Sequence, residues 1–380
     1  MKKIIVLLLL LLVVGSKQIN AQNFELRLNQ LMVIGEAESD SLEYLFGPIR
    51  HIRTDRKDNI LIAETSERTI RVFDQHGNFI RRIGGRGRGP GEFYEISSID
   101  IGPNNELIVF DRHLSRITIF EELGNVKETI LFETDYPGYG SFAYLMPEKS
   151  FLISNRENRN PNDQGYLLYH YGRSLEKLKG TYANVYDIFF NKNKEGDRSL
   201  AGMPLYHHTR FSDYIAFTPR IYTGTIGLIN LQTMVEKRLG TPIDDMYELI
   251  TLDERNRMRK RGIVGISSHS NQMGSYIFKK RASTVGLVGN EHFLLHFFRT
   301  FDQKQMNPFL AIYDHAGNRL KTLELSKSGF DYSDEQKIDG YPYFLDNQNR
   351  LYIYDYDHEG MYPAAIIYET NLDELQKTEQ

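Results

Sequence analysis

Cysteine is absent from the 380-residue chain, and so is tryptophan. Without cysteine the chain can form no disulfide framework, and it cannot carry a lipid anchor attached through a cysteine. Two catalytic signatures are missing as well, because the chain has neither a Gly-x-Ser-x-Gly elbow nor a His-Glu-x-x-His pair. These absences leave the sequence without a recognisable catalytic constellation.

The chain also lacks an excess of positive charge. Its formal net charge is −4, and it becomes −7 if the N-terminal leader is removed together with Lys2, Lys3 and Lys17. Proteins that bind nucleic acids need a basic surface that neutralises phosphates. We therefore predict no nucleic-acid partner.

Long apolar runs are confined to the N-terminus. A charged start precedes an apolar segment at residues 4–14, and Ile19-Asn20-Ala21 has the small final residue of a leader-peptidase site. We predict that residues 1–21 form a signal peptide cleaved near Ala21. The mature chain is then periplasmic or secreted and has no transmembrane segment. A retained N-terminal anchor is the alternative, although the apolar run is short for a bilayer span.

One structural unit repeats along the chain. Residues 60–83 read as strand, turn, strand, turn and strand, and the same unit returns at 107–130 with an offset of 47. Apolar and polar side chains alternate within it, as in Ile70, Arg71 and Val72, which is the period of a β-strand. A repeat of this length built from strands indicates the blades of a propeller.

Fainter copies follow toward the C-terminus. Residues 310–318 repeat part of the first unit at a distance of 240 residues, about five periods, and strands of the same type are predicted at 166–171, 227–231 and 364–368. We predict an all-β fold, a six-bladed β-propeller formed by residues 22–380 as one domain. Because open strand edges are avoided, we expect the strand at 24–34 to join the last blade and close the ring.

The repeat is interrupted between the fourth and fifth blades. The segment 241–262 begins with a threonine and a proline, continues with acidic residues and ends with basic residues before a glycine, which is typical of a helix. Met246, Leu249 and Ile250 have helical spacing. We predict a helical insertion at 241–262 whose apolar side rests on the propeller, with the fifth blade resuming at Ile263.

The two clear repeats carry a family resemblance. VFDQHGNFIRRIGGRGRGPGEF, followed by ISSIDIGPNNELIVFDRHLSRITIF, resembles the NHL-like six-bladed β-propellers, and more narrowly the secreted six-bladed propeller proteins of Bacteroidetes. The leader ending in Asn-Ala-Gln is similar to the leaders of those proteins. The resemblance implies the fold and a location in the cell envelope, and it implies no settled activity.

The glycine-rich joint GGRGRGPG at residues 84–91 superficially looks like a phosphate-binding loop. It lacks the Gly-Lys-Ser/Thr ending of such a loop, and a proline occupies a position where the dinucleotide fingerprint needs glycine. We interpret it as the connection between two blades, where glycine permits a tight chain path. The alternative is an anion or partner site that uses Arg86 and Arg88 at one rim.

Two residue pairs could be read as metal ligands. His292 and His296 lie in a segment that reads as a strand, where four residues span about 13 Å, too far for one ion. Asp355 and Asp357 share one face of a strand, and an acidic calcium site in the central channel is known from lactonase-type propellers. We predict no cofactor and no metal ligand, with calcium at the aspartates as the alternative.

Departures from the repeat should mark the face that binds ligand, because propeller strands hold the scaffold while loops carry function. The largest departures are at 155–165, 191–208 and 241–270. We expect them to converge on one face around the channel mouth. Their basic and aromatic residues suit an anionic or carbohydrate-like ligand or an acidic protein surface, and the alternative is that these are merely tolerant loops. The candidate ligand-binding residues are Arg156, Arg159, Tyr206, His207, His208, Arg210 and His269.

We therefore predict a non-catalytic cell-envelope propeller that binds a protein, peptide or glycan at one face. The alternative is a metal-dependent enzyme of the lactonase or lyase type with its metal in the central channel. A structural role in a larger envelope assembly is a third option. Fold alone does not decide among them.

Overall fold

The computed structural model describes residues 24–36, 41–121, 124–132, 143–146, 149–154, 165–189, 206–243, 246–271, 274–302, 304–325 and 341–376. The predicted leader, residues 1–21, lies outside them. The described chain forms six four-stranded antiparallel sheets and one smaller sheet. The prediction of an all-β, six-bladed propeller is confirmed.

The strands follow one another in chain order. β1 (Leu28–Ile34) precedes blade one, which contains β2 (Ile49–Thr54), β3 (Ile60–Glu64), β4 (Thr69–Phe73) and β5 (Phe79–Gly84). Blade two contains β6 (Ser98–Ile101), β7 (Leu107–Asp111), β8 (Arg116–Phe120) and β9 (Val126–Leu131). Blade three contains β10 (Ala143–Leu145), β11 (Phe151–Ser154), β12 (Tyr166–Tyr171) and β13 (Leu178–Asn184). Blade four contains β14 (Tyr206–Phe211), β15 (Tyr214–Pro219), β16 (Thr225–Asn230) and β17 (Glu236–Gly240).

The second half of the ring is less regular. A small sheet contains β18 (Tyr247–Leu249), β19 (Ile266–Asn271) and β20 (Gly274–Lys280). Blade five contains β21 (Ala282–Gly289), β22 (Phe293–Asp302), β23 (Gln305–Asp314) and β24 (Arg319–Glu324). Blade six contains β25 (Tyr341–Leu345), β26 (Arg350–His358) and β27 (Tyr362–Thr370). Helical turns lie at Leu42–Tyr44, Val185–Ile188, Leu252–Lys260 and Asp373–Gln376.

Alternating side chains of each central strand are buried on both faces of the blade. In β3, Ile60 and Ile62 pack toward blade six, whereas Leu61 and Ala63 pack toward blade two. Corresponding apolar clusters lie between each remaining pair of neighbouring blades. A single blade cannot bury both faces, so the repeated apolar strands are stable only as a closed ring.

The N-terminal strand closes this ring. β1 pairs antiparallel with β27, with Leu28 opposite Thr370 and Ile34 opposite Ala365. β1 is therefore the outermost strand of blade six. The prediction that the strand at 24–34 joins the last blade is confirmed, because this pairing covers a strand edge that would otherwise stay open.

The insertion between blades four and five differs from its prediction. The helix covers only Leu252–Lys260, and Tyr247–Leu249 is a strand that pairs with β20. The helix begins late because Thr251 and Glu254 form a capping box there. The fifth blade does not resume at Ile263, since the chain first forms the hairpin of β19 and β20.

The two ends of the ring are unequal. In blades one to five the turns after the first and third strands lie at one end, the lower face, while the second-to-third turns and the blade-to-blade connections lie at the other, the upper face. In blade six, whose fourth strand is β1, the turn after β25 lies at the lower face. The lower turns are tight. The Asp74 carboxylate, for example, accepts hydrogen bonds from the backbone N–H groups of His76 and Asn78 at 2.9 Å each, and Asp314 repeats this arrangement with Ala316 and Asn318.

Candidate functional site

The first strand of each blade lines the centre of the ring. β2, β6, β10, β14, β21 and β25 are the inner strands, and most neighbouring pairs of them touch directly. They enclose the central channel. Four sequence-predicted residues, Tyr206, His207, His208 and Arg210, lie on β14 and therefore belong to the channel wall of blade four.

The other predicted residues are dispersed. His269 lies on β19 in the small sheet, where its backbone is opposite Tyr276. Arg86 and Arg88 lie at the joint between blades one and two, with exposed side chains. Arg156 and Arg159 lie outside the described residues. The structure therefore groups four of the predicted residues and separates His269, Arg86 and Arg88 from them.

Tyr144 on β10 links blade three to blade four. Its hydroxyl lies 2.8 Å from Nδ1 of His208, and the two rings meet edge to face. Burial raises the pKa of Tyr144, so the phenol keeps its proton. Burial, together with nearby Arg53 and His51, holds the pKa of His208 well below 6.5. His208 is neutral at physiological pH.

Arg210 reaches past blade three to blade two. Its Nε and one terminal nitrogen donate to the two carboxylate oxygens of Asp100 at 3.1 and 2.6 Å, and its guanidinium lies 4.9 Å from the centroid of the Tyr144 ring. Burial alone would lower the pKa of Arg210, but the Asp100 carboxylate outweighs it and the pKa is raised. The Arg210–Asp100 pair has no net charge. Together with Tyr144 it connects the inner strands β14, β6 and β10.

His51 and Arg53 on β2 complete this side of the channel, and the sequence analysis missed both. Nε2 of His51 donates to the backbone carbonyl of Ser97 at 2.7 Å. Burial, followed by the charge of Arg53, lowers the pKa of His51 to about 3. Because a carbonyl can only accept, His51 is the neutral Nε2–H tautomer. Arg53 is described in detail below.

His207 faces away from this group, toward blade five, as the alternation along β14 requires. Burial and the charge of Arg220 lower its pKa to about 4. Its neighbour His296 on β22 is fully buried, its Nε2 lies 3.1 Å from the Thr284 hydroxyl, and burial lowers its pKa to about 3. The histidines of the channel region are therefore uncharged at neutral pH.

The glycine-rich joint has a structural role in the fold. Arg116 is buried and donates to the backbone carbonyls of Arg88 and Gly89 at 3.0 and 3.1 Å, and also to that of Glu92. Gly84 has φ +85°, and a Cβ there would lie 2.4 Å from the Phe93 ring. The interpretation of residues 84–91 as a blade connection agrees with these contacts.

The exposed side of the same joint is basic and aromatic. The guanidinium of Arg68 lies 4.7 Å from the centroid of the Tyr94 ring, and that of Arg88 lies 6.0 Å from it. Among the described residues no carboxylate lies within 4.0 Å of the charged groups of Arg68, Arg86 or Arg88. These arginines are available to an anionic partner at the upper rim.

The two members of each candidate metal pair differ in burial. His292 is exposed while His296 is buried. Asp355 is buried and accepts a hydrogen bond from the backbone N–H of Asp357 at 3.1 Å, whereas the Asp357 side chain is exposed. Across the described part of the chain, no three His, Asp or Glu side chains are grouped as metal ligands. The described ranges likewise contain no helix long and apolar enough to cross a membrane.

Comparison with known proteins identifies the family. Residues 41–342 match the DUF5128 family, which is described as a 6-bladed beta-propeller. No curated protein matches the chain. Among solved structures, a Bacteroides fragilis protein described as exported is 13% identical with a TM-score of 0.56, and 91% of this chain and 97% of that chain are covered.

Two further structures are similar at low identity. A member of the DUF4221 family from Bacteroides vulgatus is 10% identical with a TM-score of 0.59, covering 91% of this chain and 99% of that one. Virginiamycin B lyase from Staphylococcus aureus is 11% identical with a TM-score of 0.45, covering 91% and 100%. At such identities the likeness to the two Bacteroides proteins, with TM-scores above 0.5, establishes the fold alone. The resemblance to secreted six-bladed propellers of Bacteroidetes is confirmed. Because the family match spans most of its length, the chain belongs to the DUF5128 family of six-bladed β-propellers.

Proposed function

We propose that this protein is a non-catalytic propeller of the cell envelope that binds a protein, peptide or glycan at its upper face. The observation that carries the proposal is the asymmetry between the two faces. The lower face consists of tight turns closed by their own side chains, whereas the upper face carries every long connection. Loops that vary on a regular scaffold are where binding residues concentrate.

The described strand ends support this choice of face. The long segments 155–165 and 191–208 follow Ser154 and Asn184, the last residues of β11 and β13, which end at the upper face. The insertion after Gly240 leaves from the same face. The three departures from the repeat are therefore flanked by strand ends on one side of the ring.

Charge and aromatic surface at the upper rim support an anionic ligand. Arg68 and Arg88 lie beside the exposed Tyr94, and Arg86 is exposed on the same joint. None of the three arginines is used in an ion pair among the described residues. Arginine binds carboxylate and phosphate through paired N–H donors, and tyrosine supplies a flat apolar surface. An acidic glycan or an acidic peptide segment has the complementary chemistry.

The location in the envelope is part of the same proposal. The N-terminal leader, cleaved near Ala21, would deliver the mature chain to the periplasm or the cell exterior. The B. fragilis neighbour, described as exported, supports this reading. N-terminal sequencing of protein recovered from the periplasm and from the medium tests it, and an intact N-terminus beginning at Met1 would contradict cleavage.

Binding arrays test the proposed activity. Mature protein is applied to arrays of acidic oligosaccharides and acidic peptides, beside an Arg86→Ser/Arg88→Ser variant and a control, Arg56→Ser/Lys177→Ser. The control loses the same charge from exposed positions at the lower face. We expect saturable binding by wild type and control that falls at least about tenfold in the upper-rim variant. Equal loss in both variants would contradict an upper-face site.

A metal-dependent lactonase- or lyase-type enzyme remains the alternative proposal. Elemental analysis of purified protein and a screen for hydrolase and lyase turnover test it. Turnover abolished by replacing one channel residue, such as His208→Gln, would overturn the non-catalytic proposal.

A further inference from the structure

We propose that the central channel contains a carboxylate-binding site whose main ligand is Arg53. The inference rests on the proposed function and deepens it, because it names the chemical group of the ligand that enters the ring. The carboxylate could belong to an acidic sugar or to an acidic amino-acid residue, and both sources share the planar two-oxygen group that a guanidinium recognises.

Arg53 is a partly buried cation without an ion-pair partner. One terminal nitrogen donates to the backbone carbonyl of Ile52 at 2.8 Å, and the guanidinium lies 5.3 Å from the centroid of the Phe344 ring on β25. No carboxylate of the described residues lies within 4.0 Å of it. A guanidinium has five N–H donors, so most of the donors of Arg53 are not used by the described residues.

The other inner-strand arginines show why this is unusual. Arg210 is paired with Asp100 through two hydrogen bonds, and Arg50 approaches Glu95 at 3.9 Å. A partly desolvated charge is costly unless a partner compensates it. Arg53 is the inner-strand arginine that has no carboxylate within 4.0 Å among the described residues, and a bound anion would supply one.

Two inner strands locate the guanidinium of Arg53. Arg53 lies on β2, and its guanidinium contacts the ring of Phe344 on β25, the inner strand of blade six. The charge of Arg53 also contributes to the lowered pKa of His51 on blade one and of His208 on blade four. The contact between β2 and β25 places the guanidinium at the inner side of the ring.

The surroundings of Arg53 favour an anion over a cation. His51 and His208 are neutral, and Asp100, the acidic residue of this group, is neutralised by Arg210. The group therefore carries a net positive charge from Arg53. Tyr144 and Phe344 provide apolar ring surfaces for the carbon skeleton.

Calorimetric titration tests the site. Galacturonate and N-acetylglutamate are the two probes, applied to mature wild type, Arg53→Gln, Arg53→Lys and the lower-face control Arg56→Gln. We expect saturable binding of at least one probe by wild type and control. Affinity should fall at least about tenfold in Arg53→Gln and less in Arg53→Lys, which keeps the charge but loses the paired donors. Preference for one probe identifies the sugar or the amino-acid source.

Two results would overturn the inference: neither probe binds wild type, or Arg53→Gln binds as wild type does. Circular dichroism and melting of each variant without probe establish folding. If Arg53→Gln does not fold, the test uses Arg53→Lys and hydrogen exchange of residues 49–54 in the wild type. Binding at Arg53 should slow the exchange of these backbone amides when the probe is added. Unchanged exchange would contradict the site.

The outcomes separate this inference from the proposed function. Array binding that depends on Arg86 and Arg88, without carboxylate binding at Arg53, overturns the channel site and leaves the upper-face function standing. Carboxylate binding that depends on Arg53, without any array binding, supports the channel site and contradicts the proposal that the protein binds a peptide or glycan at its upper face.

Discussion

Neutral histidines are the residues whose titration should limit stability at low pH. Burial is the main cause that lowers the pKa of His51 and His296 to about 3 and that of His207 to about 4, against 6.5 for a free histidine. Below pH 6.5 the unfolded chain binds protons that the folded chain excludes. The free energy of unfolding therefore falls as pH decreases from about 6.5, by up to about 1.4 kcal/mol per pH unit for each histidine.

Urea unfolding between pH 7.5 and 5, followed by circular dichroism, measures this effect. His296→Gln should reduce the slope of the unfolding free energy against pH by up to about 1.4 kcal/mol per pH unit, which is the contribution of one proton. The reason is that glutamine does not titrate. The exposed His292→Gln serves as the control for replacing a histidine at the surface. A wild-type free energy that is constant between pH 7 and 5.5 would show that these histidines are not excluded from protonation.

Replacing Arg116 should destabilise the protein more than replacing most other arginines. It is buried, and it donates to three backbone carbonyls of the joint between blades one and two. Arg116→Met leaves those carbonyls without donors, and we expect a loss of about 2 to 4 kcal/mol. Arg82→Met, which removes an exposed pair with Glu67, should cost less than about 1 kcal/mol. Similar melting temperatures for the two variants would refute the structural role of Arg116.

Among single residues, the sequence predicted part of the candidate site. Departures from the repeat led to His207, His208 and Arg210, which do line the channel. His51 and Arg53 were missed because they lie in a regular strand with no turn or insertion to mark it. The strand does carry an unusual feature, since His51 and Arg53 flank the buried Ile52, but their proximity to blades three and four depends on ring closure.

Among the elements, the insertion shows how a local pattern can mislead. Met246, Leu249 and Ile250 have helical spacing, yet Tyr247–Leu249 pairs with β20 as a strand. Met246 and Ile250 are buried as predicted, whereas Leu249 is 42% exposed. Pairing with a hairpin more than fifteen residues away is not encoded in local spacing, so the sequence alone could not place this strand.

Neighbouring residues of the insertion provide a matched test. Ile250 is 8% exposed and Leu249 is 42% exposed. Ile250→Asp should therefore destabilise the protein by about 3 kcal/mol or more, because a carboxylate would replace a buried side chain. Leu249→Asp should change stability by less than about 1 kcal/mol. Thermal melting compares them, and a larger loss in Leu249→Asp would show that the strand is misassigned.

Closure by β1 should be essential to the ring. Its pairing with β27 is reinforced by the Arg27 backbone N–H, which donates to Asn371 at 2.8 Å, and by an ion pair between Arg27 and Glu374. A chain beginning at residue 36 loses this strand and exposes the edge of β27. Compared with a chain beginning at residue 22, we expect a lower melting temperature and concentration-dependent association by size exclusion. Identical melting of the two chains would contradict closure.

The whole molecule follows from one repeated pattern. Central strands that are apolar on both faces require a neighbour on each side, and the apolar clusters between successive blades supply it. The period of 47 residues was sufficient to predict blades, and the count of similar strands was sufficient to predict six. The sequence could not show that β14 faces Asp100 and Tyr144, because that arrangement is set by blade order around the axis.

The central claim is that the upper face is the binding face, and site-specific photo-crosslinking in intact cells tests it most directly. A benzoylphenylalanine replaces Ser66 or Arg220 at the upper face, or Arg56 or Lys177 at the lower face, in otherwise wild-type protein. All four positions are exposed. We predict that illumination yields discrete adducts from the two upper positions and none from the two lower positions. Adducts only from the lower positions, or equally from both faces, would contradict the account.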